Sequence, residues 1–288
     1  MEEDKKFNSC PIPNGILLVV GGHENKDGNS ENSAKDYHPR EILETFVELT
    51  GGKDGVIEVI TSASSEGEES FADYLKVFSE LGVTQVGHIH HDKRGDALND
   101  EDAVSRLKQA NGVFFSGGDQ LKLTSVYGGT TVLFEVKQSY IYNNLVLGGT
   151  SAGAMAMSTP MIFAGSKKVE QIAGEVRITT GLEFLKDVCI DTHFVDRGRF
   201  LRMAQVVATN PTCIGMGIEE DTAIIVCNGI EAEVIGSGVV LIIEGFNIKD
   251  SNIVDFGEDE RIQIDDLTVK ILSKGNKYLI PRNNPPHL

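Results

Sequence analysis

Asn144-Leu-Val-Leu-Gly-Gly-Thr-Ser-Ala-Gly-Ala-Met-Ala-Met-Ser158 is the stretch that decides how this chain folds. Its apolar run, Leu145 to Leu147, breaks into small residues and then into helix-forming ones from Ala152 to Met157. That order predicts a buried strand passing into a helix through one sharp turn, with Ser151 at the apex. Gly149 and Gly153 flank the serine in the pattern G-x-S-x-G, where missing Cβ atoms let the backbone fold tightly enough to push a serine oxygen into solvent. The first N–H groups of a helix have no partner inside it. The N–H of Ala152 is therefore placed to stabilise an oxyanion formed when Ser151 attacks a carbonyl. The same pattern also describes a plain strand-to-helix turn, and 31 glycines give it room to arise by accident.

Working outward, Gly15-Ile-Leu-Leu-Val-Val-Gly-Gly22 is continuously apolar, as a strand buried on both faces is. The polar segment from His23 to His38 is long for a connection and reads as a functional flap or a disordered insertion. Pro39 suits a helix start, and Ile42, Leu43, Phe46, Val47 and Leu49 follow at helical spacing up to Gly51-Gly52. Residues 56–61 form a second strand, and Phe71, Tyr74, Leu75, Phe78 and Leu81 mark a second helix. A third strand over 83–90, a short helix over 99–110 and a fourth strand over 112–115 complete the alternation. Such alternation predicts an α/β protein whose mainly parallel sheet carries helices on both faces. Ligands of these sheets lie at the carboxyl ends of the strands, where Ser116-Gly-Gly-Asp-Gln120 and Ser151 both fall. Beyond Gly217 the chain is mainly β, with strands over 222–227, 231–235, 239–244 and 268–273, and 247–261 reads as surface loop. The organisation expected is a polar tail over 1–14 and a single domain over 15–288.

The chain of 288 residues has 26 Lys+Arg against 43 Asp+Glu, a net charge of −17. A nucleic-acid partner needs a basic footprint that this balance does not supply. Acidity favours solubility in any case. Cys10, Cys189, Cys213 and Cys227 form no C-x-x-C pair, which points to reduced thiols in the cytoplasm rather than zinc or a disulfide framework. The charged, acidic start lacks the basic and apolar pattern of a signal peptide, and no run approaches membrane-spanning length, so a non-exported protein without a membrane partner is expected.

A serine nucleophile needs a base within hydrogen-bond reach and a group to orient that base. His193 is the best placed, since it follows the apolar run Val188-Cys-Ile-Asp191 and precedes Arg197, Arg199 and Arg202. His88, His90 and His91 invite a metal reading, but no nearby carboxylate pair or cysteine completes a ligand set. His23, His38 and His287 lie in polar segments and read as solvated. For the orienting acid, Glu219, Glu220 and Asp221 all precede an apolar strand and all qualify. Gly117 and Gly118 end a strand, and their N–H groups suit either the second half of an oxyanion hole or an ordinary turn. Three arginines beside a base are able to clamp a substrate carboxylate, or simply to form a solvated helix face.

Taken together, Phe114-Phe-Ser-Gly-Gly-Asp-Gln-Leu121, Gly148-Gly-Thr-Ser-Ala-Gly-Ala154, Asp191-Thr-His-Phe-Val-Asp-Arg-Gly-Arg199 and Gly217-Ile-Glu-Glu-Asp-Thr-Ala223 resemble the cyanophycinases. That branch of the serine peptidases also holds peptidase E, an aspartyl dipeptidase. The resemblance implies a flavodoxin-like sandwich related to class I glutamine amidotransferases. It implies Ser151 as nucleophile, His193 as base and Glu220 as orienting acid, with the N–H groups of Gly118 and Ala152 as the oxyanion hole. Gln120, Asp191, Arg197, Arg199 and Arg202 are implied to line the substrate site. The implied reaction is hydrolysis of cyanophycin, poly-aspartate with arginine on each β-carboxyl, to β-Asp-Arg dipeptides by a homodimer that uses no metal or organic cofactor. Thr192 departs from the glutamine expected before the base, which bears on the substrate more than on the chemistry. A peptidase E-like aspartyl dipeptidase and a non-catalytic binding module on the same fold are the alternatives. A glutaminase would carry cysteine at the elbow.

Overall fold

A computed structural model describes residues 11–28, 38–165, 170–255 and 260–281. The flap-or-insertion reading of the first long connection falls largely on residues 29–37, and most of the polar tail on residues 1–10, both outside the described residues.

Five strands, β1 (Ile16–Val20), β2 (Val56–Ile60), β3 (Gln85–Ile89), β4 (Gly112–Phe115) and β5 (Val146–Thr150), pair in parallel in the order β1-β5-β4-β2-β3. Between them run α1 (Glu41–Leu49), α2 (Gly67–Glu80), α3 (Arg94–Ala97), α4 (Glu101–Leu107), α5 (Gln120–Tyr127) and α6 (Thr131–Tyr142), and α7 (Ala152–Ala156) follows β5. Successive side chains of a strand point to opposite faces. In β1, Leu18 and Val20 accordingly join a core with Ile42, Leu43 and Phe46 of α1 and Tyr74, Val77 and Phe78 of α2. Leu17 and Val19 join another with Leu107 of α4, Leu123 of α5 and Val136 of α6. Burial on both faces explains why inner strands such as β1 and β4 read as apolar runs, whereas β3, at the edge of the sheet, is only partly buried.

The later elements are β6 (Ser158–Thr159), β7 (Met161–Ala164), β8 (Arg177–Thr179), β9 (Leu185–Lys186), β10 (Val188–Asp191), α8 (Phe200–Thr209), β11 (Ile214–Ile218), β12 (Thr222–Cys227), β13 (Glu231–Gly236), β14 (Val239–Glu244), β15 (Asp250–Ser251), β16 (Ile264–Asp265), β17 (Thr268–Ser273) and β18 (Lys277–Leu279). Apart from the two-stranded pairs β7–β8 and β15–β16, these strands divide between two sheets. β12 adds antiparallel to β1, and β13 and β18 follow it, which extends the parallel sheet to eight strands. β17, β14, β11, β10, β6 and β9 form a second sheet of six. The two share a core in which Ile224 and Val234 of the first sheet lie with Met216 and Ile242 of the second. On the far side of the second sheet, α8 buries Met203, Val206 and Val207 with Cys189 and Ile243.

Two expectations change. The stretch expected as surface loop over 247–261 contains β15, which pairs antiparallel with β16. Helices α5 and α6 occupy a region to which the sequence pattern assigned no element. Their apolar residues are not confined to one side: Val132, Val136 and Tyr140 are buried while Phe134 is 63% exposed. A helix apolar on several sides lacks the one-sided stripe that marks it in sequence. Among the described residues no helix is long and apolar enough to cross a membrane.

Candidate active site

The turn after β5 takes the sharp form that small residues allow. Ser151 sits at φ 50° and ψ −113°, a backbone conformation that L side chains seldom adopt. Its cause is the close meeting of strand and helix around it. A Cβ on Gly149 would lie 2.9 Å from the backbone carbon of Gly153, and one on Gly153 would lie 2.4 Å from the Phe115 carbonyl oxygen. Side chains at either place would pry α7 off the sheet.

Three further loops converge on this elbow through backbone hydrogen bonds to the end of β1. The Ser151 N–H donates to the Val20 carbonyl (3.1 Å), the His193 N–H to Gly21 (2.9 Å) and the Asp221 N–H to Gly22 (2.9 Å). Gly22 has φ +102°, and a Cβ there would stand 2.4 Å from Cε1 of His193. Only glycine lets the β1 loop pass under that ring. The result is a linear chain of side chains. Ser151 Oγ lies 2.9 Å from His193 Nε2, and His193 Nδ1 lies 2.6 Å from Glu220 Oε1. His193 is buried, whereas Ser151 and Glu220 are half-buried. Burial holds the His193 imidazole below its ordinary value of 6.5; Glu220 pulls it back up, and Arg197 and His23 push it down. A neutral ring with its Nε2 lone pair toward a serine hydroxyl is a proton acceptor at neutral pH.

By residue type Glu219, Glu220 and Asp221 are equals and only the family resemblance singles out Glu220; the turn sends them three ways. Glu219 accepts the Val239 N–H at 2.8 Å. Asp221 accepts the Asn25 N–H and the Ser237 hydroxyl, each at 3.0 Å. Glu220 alone meets His193. Gly117 lies against Ser151, where a Cβ would be 3.5 Å from that of the serine, and Gly118 packs on the Ala63 carbonyl.

A profile of Peptidase family S51 matches residues 27–234. The cyanophycinase of Synechococcus elongatus is 33% identical over 277 residues, which span 95% of this chain and 81% of that protein. The cyanophycinase of Geminocystis herdmanii (strain PCC 6308) is 31% identical over 262 residues, 91% of this chain and 92% of its own. The chain belongs to peptidase family S51. It is a serine-type peptidase. A solved structure of a peptidase from an acI-B1 Actinobacterium superposes with a TM-score of 0.65 at 21% identity, covering 93% of this chain and 98% of that one, and shares the fold.

The remaining candidate residues of this S51 peptidase are arranged unevenly. Asp191 is fully buried and accepts from Arg202 Nε (2.5 Å) and Nη2, from Arg199 Nη1 (2.9 Å) and from the Thr192 N–H (2.9 Å). It offsets one of those two positive charges and fixes both forks. Arg197 is exposed. The Gln120 amide donates to the Ile162 carbonyl at 2.9 Å. The Thr192 hydroxyl is buried without a hydrogen-bond partner.

Elsewhere, His88 and His90 present ring nitrogens to one hydroxyl, Thr61 Oγ1, at 2.7 and 2.8 Å, and His88 stacks on Phe71. His91 belongs to a separate buried network. Three residues beside the site were given no part in it by the sequence. Gly21 and Gly22 read only as the end of a strand, and His23, read as solvated, has Nδ1 3.3 Å from Glu220 Oε2. A G-G-H run closing a buried strand was the available signal.

Proposed function

We propose that this S51 peptidase hydrolyses cyanophycin to β-Asp-Arg dipeptides through an acyl-enzyme on Ser151. The observation that carries the reading is the hydrogen-bonded chain Ser151–His193–Glu220 at 2.9 and 2.6 Å. Its substrate is suggested by the cyanophycinases to which most of the chain is similar.

In this reading Ser151 Oγ bonds to the aspartyl carbonyl carbon while its proton passes to His193 Nε2. Glu220, holding Nδ1–H, keeps the tautomer that leaves Nε2 free and stabilises the imidazolium that forms. The N–H groups of Gly118 and Ala152 hold the oxyanion. His193 then gives its proton to the leaving amine, and a water molecule repeats the sequence to release the acid. Arg197, backed by the partly neutralised Arg199 and Arg202 on Asp191, sets a local positive field in an acidic protein and draws in a free α-carboxylate of a β-Asp-Arg unit. Gln120 borders the same site. The family resemblance further suggests a homodimer, and the scattered cysteines suggest a cytoplasmic location.

Incubation of the purified chain with insoluble cyanophycin, with soluble products identified by mass, tests the reading. Release of β-Asp-Arg that Ser151→Ala abolishes is the expected result. Cleavage of aspartyl dipeptides with the polymer left intact would move the assignment to a peptidase E-like exopeptidase, for which Thr192 in place of glutamine is the residue to exchange first.

A further inference from the structure

Glu220 has two carboxylate oxygens, and His193 engages one. The other, Oε2, lies 3.3 Å from Nδ1 of His23. His23 follows Gly22 at φ 48°, and its ring stands edge-on to that of His193, with centroids 5.0 Å apart and planes at 85°. The His23 side chain is 69% exposed, so this group of residues reaches solvent through it. Its loop is pinned from the next residue on. Buried Glu24 accepts the Tyr74 hydroxyl and the Thr150 hydroxyl, each at 2.5 Å, and Thr150 adjoins Ser151.

One ligating atom from each of His23, His193 and Glu220 lies within 4.8 Å of the other two, and no other such trio of His, Cys, Asp or Glu occurs among the described residues. Two imidazoles and a carboxylate are the ligand set of an open zinc site, which keeps its fourth position for water. Zinc bonds to nitrogen and oxygen are about 2.0–2.2 Å long, so tetrahedral donors stand about 3.3 Å apart. The His23–Glu220 pair already has that separation, 3.3 Å, with one partner open to incoming ions.

We propose that His23, Glu220 and His193 form an inhibitory Zn2+ site at the mouth of the active site. An ion taken up by His23 and Glu220 draws on the same carboxylate and imidazole that serve Ser151. Occupancy removes the orientation or the lone pair of the base, and Ser151 stops reacting. The inference rests on Ser151 being the nucleophile, so uptake of the ion and reactivity of the serine are read separately.

The full chain, stripped with a chelator, is titrated with ZnCl2 by calorimetry while labelling of Ser151 by a fluorophosphonate is followed in parallel. One site is expected, with labelling slowed about tenfold or more at saturation and restored by EDTA. Exchange of a group beside a metal already weakens binding about 10–100-fold, and loss of a ligand in His23→Ala or His23→Gln is expected to weaken it at least that much. Each variant is referred to its own metal-free labelling rate, so a change in basal reactivity does not imitate relief. The proposal falls if the wild-type chain takes up no zinc, if both variants bind as tightly as it does, or if labelling continues with the site filled. Zinc held instead at His88 and His90 would give the last two results together. Absence of labelling before any zinc is added sinks the nucleophile reading, while calorimetry on the His23 variants still decides the site.

Discussion

His193 lies between Ser151 Oγ at 2.9 Å and Glu220 at 2.6 Å, and His91 lies between the Tyr127 hydroxyl at 3.0 Å and Asp100 at 2.9 Å. The Tyr127 hydroxyl is in turn 2.7 Å from Ser62 Oγ, so the second network also runs from serine through histidine to a carboxylate. The residue types are nearly the same and the settings are not. Ser62 is fully buried, and its oxygen also accepts the backbone N–H of His91 at 2.7 Å. Ser151 is half-buried on a strained elbow, directly on its histidine, with a glycine loop beside it. A satisfied buried hydroxyl stabilises, whereas a hydroxyl shared between a base and an approach route is able to attack. The difference lies in the backbone that presents the serine rather than in the list of partners.

The largest effect expected from that contrast is at the two serines. Ser151→Ala should lower kcat for hydrolysis by about 10⁴-fold or more, with the folded state unaffected. Ser62→Ala should leave kcat/KM within about twofold, yet the His91 backbone N–H, left unpaired, should cost about 1–3 kcal/mol in urea unfolding. Loss of hydrolysis in a fully folded Ser62→Ala protein would show that the buried network also takes part in the reaction.

Next in size are two aspartates near the networks, Asp191 among the arginines beside the first and Asp100 at the end of the second. Asp191, two residues before His193, offsets one of the two guanidinium charges it holds, on buried Arg202 and half-buried Arg199, and Asp191→Asn leaves both uncompensated. Breaking such a pair typically costs about 3–5 kcal/mol. Asp100, under His91, is partly exposed and caps α4 by accepting the Ala103 N–H at 2.9 Å. Asparagine caps helices about as well as aspartate, so Asp100→Asn should cost roughly 1 kcal/mol or less. Denaturant midpoints for the two variants measure the difference, and equal losses would remove the distinction between a buried anchor and a cap.

The contrast also bears on what the sequence carries. The inner parallel strands are legible because burial on two faces writes apolar runs, and the spans expected at 222–227, 239–244 and 268–273 coincide with β12, β14 and β17. Which sheet each joins is not legible, since β12 and β14 carry similar patterns and pairing is settled by tertiary contacts. Ser151 stands out because the elbow demands glycines at fixed offsets. The carboxylate that meets His193 does not stand out by residue type, because Glu219, Glu220 and Asp221 are separated only by the direction in which one turn sends each of them, and Glu220 is named from the family resemblance alone. His91 was grouped with His88 and His90 by spacing, although its side chain enters the core while theirs meet over Thr61.

The finest test concerns the titration of His193. Burial holds this imidazole below 6.5, with Arg197 adding to the depression and Glu220 opposing it. In the proposed reaction the neutral ring accepts the Ser151 proton, so kcat/KM, which reports the free enzyme, should fall only as pH drops below 6.5. The same depression links to folding: between the two values the unfolded chain binds more protons than the folded one. Stability from this histidine is therefore complete above 6.5 and drains away as pH falls through the folded value. Removing a neighbouring cation must raise that value, so Arg197→Ala should move the acid limb upward toward 6.5 while the Asp100→Asn profile stays where the wild type's is. Measured with a chelator present, an Arg197→Ala limb that stays put or moves to lower pH would mean that the arginine does not act on the ring. Its effect on hydrolysis would then come through substrate binding alone, seen as a rise in KM at every pH.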